Sequence, residues 1–131
     1  MEPRTSLRFD AGKNVACISM SGPLTGPAIL AAFDAAVGSP EYRAGMARLW
    51  DFTRADPSSL DSETLRQMAL HSLRFPPGVR DVRVAFVAPT DLGFGLARMF
   101  EAYSDGVAAI TPRVFHTLGE AEAWLGGAPA R

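Results

Sequence analysis

The chain has 131 residues, 47% of them hydrophobic, with 13 basic side chains against 14 acidic ones and a formal net charge of −1. That length suits one domain over 1–131, burying roughly two-thirds of its unfolded surface in one core. The near-neutral balance excludes an electrostatic footprint for nucleic acid, and the lone Cys17 excludes an internal disulfide and predicts a reducing, cytoplasmic setting. No apolar run reaches the roughly 18–20 residues that span a bilayer, and Met1–Asp10 carries no signal-peptide core. Twelve arginines beside the single Lys13 suggest a GC-rich, bacterial genome rather than a function.

Gly and Pro punctuation divides the chain into short apolar strands and helical stripes. Ser6–Phe9 and Val15–Met20 flank the polar turn Asp10-Ala11-Gly12-Lys13-Asn14, which predicts a β-hairpin. The first helix runs from about Pro27 to Val37. Thr25 or Gly26 caps it, Pro27 suits its first turn, and Gly38 with Pro40 stops it. Ile29, Leu30, Phe33 and Val37 fall on one of its faces. Ala47–Phe52 reads as the third strand, followed by a polar loop over Thr53–Leu60. Asp61 then caps a helix from Ser62 to about Arg74, with Leu60 and Leu65 as its hydrophobic staple and Pro76-Pro77-Gly78 as its stop. Val82–Ala88 is a β-branched-rich strand. The helix after it, about Asp91 to Tyr103, places Leu92, Leu96, Met99 and Tyr103 on one stripe. Arg113–His116 is the last strand, and Thr117-Leu118-Gly119-Glu120 matches a capping box. Ala121, Trp124 and Leu125 give the final short helix its apolar face, and Gly126 closes it. The order ββαβαβαβα predicts an α/β domain with a mixed, mostly parallel five-stranded sheet.

Alternation within the strands predicts how that sheet is covered. Leu49, Val84, Phe86 and Val114 are expected to share one parity and meet the helices. The opposite parity reads Arg48-Trp50-Phe52, Arg83-Ala85-Val87 and Arg113-Phe115. With the strands adjacent and in register, the three arginines form a row beside an apolar, partly aromatic patch. A doubly wound sheet has near-continuous apolar strands, so unequal parities favour helices mainly on one face. The second face is then either an ordinary solvent-facing surface or a dimer or partner surface.

In open α/β sheets ligands gather beyond the carboxyl ends of the strands. That rim contains Asp51 and Arg54 after the third strand, and Thr90, Asp91, Gly93, Gly95 and Arg98 after the fourth. Asp51 can order its loop or act as a base. Gly93-Phe94-Gly95-Leu96-Ala97-Arg98 departs from a dinucleotide loop, because Arg98 occupies the third glycine position. The amides there can still hold an anion or simply allow the helix to pack close to the sheet. His71 and His116 have no metal-ligand neighbours at a usable spacing, and no nucleophile elbow, P-loop or Cys–His arrangement is present. No cofactor or catalytic residue is predicted. Cys17 reads as a small core residue.

Several strings resemble a known family. Gly22-Pro23-Leu24-Thr25, Leu49-Trp50-Asp51 and Gly95-Leu96-Ala97-Arg98-Met99-Phe100-Glu101 are similar to the SpoIIAA-like (STAS/SEC14-type) families of small bacterial proteins. Val114-Phe115, Glu120-Ala121 and Ala123-Trp124-Leu125 continue the resemblance, which covers about Leu7 to Leu125. It implies a right-handed βα superhelix with a mixed sheet and helices mainly on one face. In the anti-sigma-factor antagonists sharing that fold, a serine near the start of the helix after the third strand is phosphorylated, in an Asp-Ser-Ser-Gly-like string, and its charge switches partner binding. Ser58, Ser59 and Ser62 occupy that region here, but Pro57-Ser58-Ser59-Leu60 lacks the glycine and the loop is longer. The resemblance and the missing motifs together predict a non-enzymatic regulatory or protein-interaction domain, working as a homodimer or beside another bacterial protein. The alternative is a binding module for a small anionic or lipid-like ligand, resting on the Gly93/Gly95 helix start, Arg98 and the likeness to lipid-carrying folds.

Overall fold

The computed structural model describes residues 3–76, 78–105 and 110–126, which leaves Pro77 of the expected stop signal outside the described residues. Strands β1 (Arg4–Asp10) and β2 (Val15–Pro23) form the expected hairpin, with Asn14 of its turn at φ 59°. Then come α1 (Gly26–Val37), β3 (Ala47–Asp56), a 3-10 turn over Pro57–Ser59, and α2 (Ser62–His71) with a second 3-10 turn over Ser72–Arg74. The chain ends with β4 (Arg83–Val87), α3 (Asp91–Ser104), β5 (Thr111–Phe115) and α4 (Leu118–Gly126). The five strands lie in the order β1-β2-β3-β4-β5; only β1 runs antiparallel to its neighbour.

That order decides where the helices go. Each crossover steps to the next strand in the same direction, and right-handed crossovers of that kind put every connecting helix on one face. Helices α1, α2 and α3 therefore share a face. Ile18, Trp50, Val84, Phe86 and Val114 of the sheet form one core there with Ile29 and Phe33 of α1. Helix α4 follows the last strand and returns on the other face, packing on β3, β4 and β5. Val15, Leu49, Ala85 and Val87 meet Ala121 in that second, smaller core, flanked by Trp124 and Leu125.

The caps follow the sequence. Thr25 Oγ1 accepts from the Ala28 amide at 3.2 Å, Asp61 Oδ1 from Thr64 at 2.8 Å, and Thr117 Oγ1 from Glu120 at 3.2 Å. Four expectations are corrected. Strand β3 continues through the expected loop to Asp56, because β2 also runs on and pairs Ser21 with Arg54 and Pro23 with Asp56 beyond a bulge. Helix α2 is α-helical only to His71 and tightens into 3-10 geometry up to Arg74. Cys17 is only half-buried, with Arg8 Nη2 at 3.8 Å from its Sγ. The inward stripe of α3 runs through Gly93, Ala97, Phe100 and Ser104; of the expected Leu92, Leu96, Met99 and Tyr103, Leu96 reaches the space between helices and sheet, whereas Leu92 is 53% exposed. Gly93 sets that rotation, since a Cβ there would stand 3.1 Å from Thr90 Oγ1 and 3.6 Å from Pro57, so the helix sits close to the chain beneath it.

Face assignment is the fifth correction. Arg48 pairs with Val84, Trp50 with Phe86, and Phe86 with Val114, so Arg48 and Trp50 lie under α1–α3 while Leu49 lies on the α4 face. Parity within β3 was one residue out. Leu49 and Trp50 are both buried, so the strand is apolar on both sides and alternation cannot say which side is which. No row of three arginines exists: Arg83 and Arg113 share the α4 face, and Arg48 is on the other.

Candidate functional site

Between the sheet and α1–α3 lies a cavity of about 90 Å3, lined by apolar side chains from every element around it. Trp50, Phe52 and Phe86 form its sheet wall, Leu30 and Phe33 come from α1, Met68 from α2, and Leu96 and Phe100 from α3. Phe86 meets Phe100 edge-on at 5.4 Å and Phe52 in a stack at 6.3 Å. Native cores rarely leave a void larger than a water. Three polar side chains reach its wall: Arg48, His71 and Thr90.

Arg48 is the unusual one. It is 1% exposed, yet among the described residues no carboxylate pairs with it. Its Nη1 donates to Tyr42 Oη and to the Val79 carbonyl, both at 3.0 Å, and Tyr42 Oη donates onward to the Met46 carbonyl at 3.2 Å. The guanidinium carbon stands 5.2 Å from the Phe33 ring and 5.5 Å from the Phe75 ring, which stack on each other at 4.5 Å. Its Nε has no hydrogen-bond partner among the described residues. Burial pushes the guanidinium pKa down, and Tyr42 partly opposes this. A guanidinium remains charged at any physiological pH.

The predicted ligand residues do not converge. Thr90 and Gly93 lie at one end of the cavity, where Thr90 Oγ1 accepts from the Gly93 amide at 3.1 Å to cap α3. Asp51 and Arg54 line an open groove on the opposite face with Arg4, Ser6, Ser19 and His116. There Asp51 Oδ1 accepts from the Thr53 amide at 3.0 Å and from the Thr53 hydroxyl, so its carboxylate orders its own strand. Asp91 is exposed in the first turn of α3, Gly95 has open space around it, and Arg98 pairs with Glu101 at 2.9 Å on the helix surface.

The predicted interface set is likewise divided. Arg48 and Trp50 are buried and Phe52 is half-buried beside the cavity. Arg83 Nη1 donates to the Trp124 carbonyl at 2.9 Å, and Arg83 and Arg113 stand over the Trp124 ring at 5.1 and 6.0 Å. With Phe115 at 5.6 Å from Trp124, this cluster fastens α4 to the sheet. Ser58, Ser59 and Ser62 are all exposed between β3 and the first turn of α2. Asp56 beside them accepts from the Ser58 amide at 3.0 Å, which holds its carboxyl below the usual range. His116 stacks on Phe94 at 3.9 Å. Among the described residues no cluster of three metal-ligating side chains exists, and no helix is long and apolar enough to cross a membrane.

A consecutive mixed sheet with three helices on one face and a closing helix on the other defines a SpoIIAA-like α/β fold. A crystal structure of an uncharacterized protein from the DUF3478 family with a SpoIIAA-like fold, from Shewanella loihica PV-4, is similar across 94% of this chain and 93% of that chain. The TM-score is 0.55 and the identity 16%, a likeness of fold alone. No protein-family model and no curated protein matches the sequence.

Proposed function

We propose that this chain is a non-enzymatic binding module that holds a small, largely apolar molecule between its sheet and α1–α3. The observation that carries this reading is the cavity of about 90 Å3. Left empty, such a space forfeits at most about 2 kcal/mol of packing, at roughly 24 cal/mol per Å3. A small apolar ligand regains those contacts and removes its own surface from water. The volume is below that of a drug-sized pocket, roughly 300–1,000 Å3, so the ligand is a slender one. Titration of 15N-labelled protein with 1-octanol tests the proposal, with native mass spectrometry of fresh material looking for a co-purified molecule. Amide shifts confined to the cavity wall, around Leu30, Met68 and Phe100, support it. No such shifts at saturating octanol would overturn it.

A second reading, regulatory contact with another bacterial protein or a second copy, is favoured by the exposure of Ser58, Ser59 and Ser62 at the start of α2. A phosphate there gains from the helix N-terminus and its free amides. Intact-mass measurement of protein isolated from its native cells, with Ser58→Ala, Ser59→Ala and Ser62→Ala as controls, decides it. An unmodified chain in every growth phase sinks the switch.

A further inference from the structure

Arg48 is a buried cation with no anion beside it among the described residues. Among the described residues the ion pairs are Glu63–Arg66 and Arg98–Glu101, both on helix surfaces. Two hydrogen bonds leave Nη1, to the neutral acceptors Tyr42 Oη and Val79 O. That leaves the Nε–Nη2 edge, with which a guanidinium grips a carboxylate through two parallel hydrogen bonds. Nε on that edge has no partner. Burying a charge without a counter-ion is costly, and the Phe33 and Phe75 rings offset only part of that cost.

The cavity also has a direction. Along β3 its wall runs from Arg48 through Trp50 to Phe52, and beside it β4 and the residue after it supply Val84, Phe86 and Ala88. Four residue steps at about 3.3 Å each make this wall roughly 13 Å long. Arg48 stands near the N-terminal end of the strands, and Gly93 lies beyond their C-terminal end. An apolar space bounded along one side by this wall, with an unpaired cation near one end of it among the described residues, matches a chain with an acid at one terminus.

We infer that the ligand of this cavity is a chain-like monocarboxylate, its acid group held on the Nε–Nη2 edge of Arg48 and its alkyl chain lying along Trp50 and Phe86. The inference rests on the cavity-binding reading and deepens it. The carboxylate supplies both the missing acceptor and the missing countercharge. Arg48 then selects against the neutral chain of equal length, which fills the same space and leaves the cation unpaired.

Sodium octanoate and 1-octanol titrated into the full chain, followed through backbone amides and the Arg48 Nε–H resonance, test this. The expected result is octanoate affinity at least tenfold above octanol, with the Nε–H signal moving only with octanoate. Arg48→Lys keeps the charge but loses the planar edge, and is expected to lower octanoate affinity at least tenfold and to remove most of the preference for octanoate over octanol. Equal affinities for the two probes, or a stationary Nε–H signal, overturn the acid anchor and leave apolar binding standing. Binding of neither probe overturns both readings. Octanoate binding untouched in Arg48→Lys overturns the anchor alone.

Discussion

Filling the cavity from inside measures what the empty space costs, and Ala97→Leu is the substitution placed to do it. Ala97 lies on the inward stripe of α3, packs against the larger core and lines the cavity. Reversing a void of about 90 Å3 at roughly 24 cal/mol per Å3 sets a ceiling of about 2 kcal/mol. A leucine occupies part of that space and gives up a few tenths of a kcal/mol in helix propensity, so the expected net gain is about 1–1.5 kcal/mol. For 131 residues the unfolding entropy is about 0.28 kcal/mol/K, at roughly 2.1 cal/mol/K per residue, so each kcal/mol moves Tm by about 4 °C. Thermal melts followed by circular dichroism should show a rise of about 4–6 °C, and octanol should no longer shift the cavity amides. A Tm lowered by several degrees with octanol affinity intact would refute the reasoning, because the space would then be filled already and the ligand held elsewhere.

The two glycines of α3 should part company. Gly95→Ala meets nothing within 4 Å and is expected to stabilise by about 0.8–1 kcal/mol through helix propensity. Gly93→Ala should fall about 1 kcal/mol short of it, because the new methyl displaces the Thr90 hydroxyl that caps the helix; equal denaturant midpoints for the two would contradict this. Trp124→Ala removes the Phe115 contact and the Arg83 and Arg113 contacts that hold α4. From a half-buried site it should cost about 2 kcal/mol, read as a Tm lower by about 8 °C. Asp56, Asp61 and Glu63 have carboxyls held below their usual range, mainly by the Ser58 amide, the Thr64 amide and the Arg66 side chain respectively. A depressed folded-state value means that their stabilisation is complete above the unfolded carboxylate range, near pH 4, and is lost as the pH falls through the folded values. Tm should therefore drop between about pH 5 and pH 2, less steeply in Asp61→Ala; identical slopes would remove Asp61 from the account.

The fold was legible because its signals are local. Asp61 followed by Ser62-Glu63-Thr64, Thr117 followed by Glu120, and Pro27 after Thr25 each state a helix start through chemistry that acts within one turn. The strand order was not legible; once the structure shows it to be consecutive, the crossover rule accounts for α1–α3 sharing one face. What failed was relational. Side-chain size does not identify the inward face of α3, because contact distance decides it: Gly93 faces in and Leu92 faces out. The Gly93–Arg98 string drew attention to the rim, and the structure puts Gly93 at the cavity and Arg98 against Glu101 in solvent.

Arg48 shows most sharply how a correct observation can be attached to the wrong face. An arginine alternating with Trp50 and Phe52 was visible in the sequence as an oddity, and at a surface it would be an ordinary residue beside two scattered apolar ones. Strand pleat gives two faces but not their identities; register with β4 and the cover of α1 decide between them. Once that choice is reversed, the same alternation means something different. Trp50→Glu would probe the core and not a docking surface, because Trp50 is 5% exposed and the change would bury a carboxylate. The arginine changes from a solvated charge into a buried cation with no ion-pair partner among the described residues. A sequence can display a residue whose cost only its surroundings reveal, and that cost is what makes an acid the fitting occupant of the space beside it.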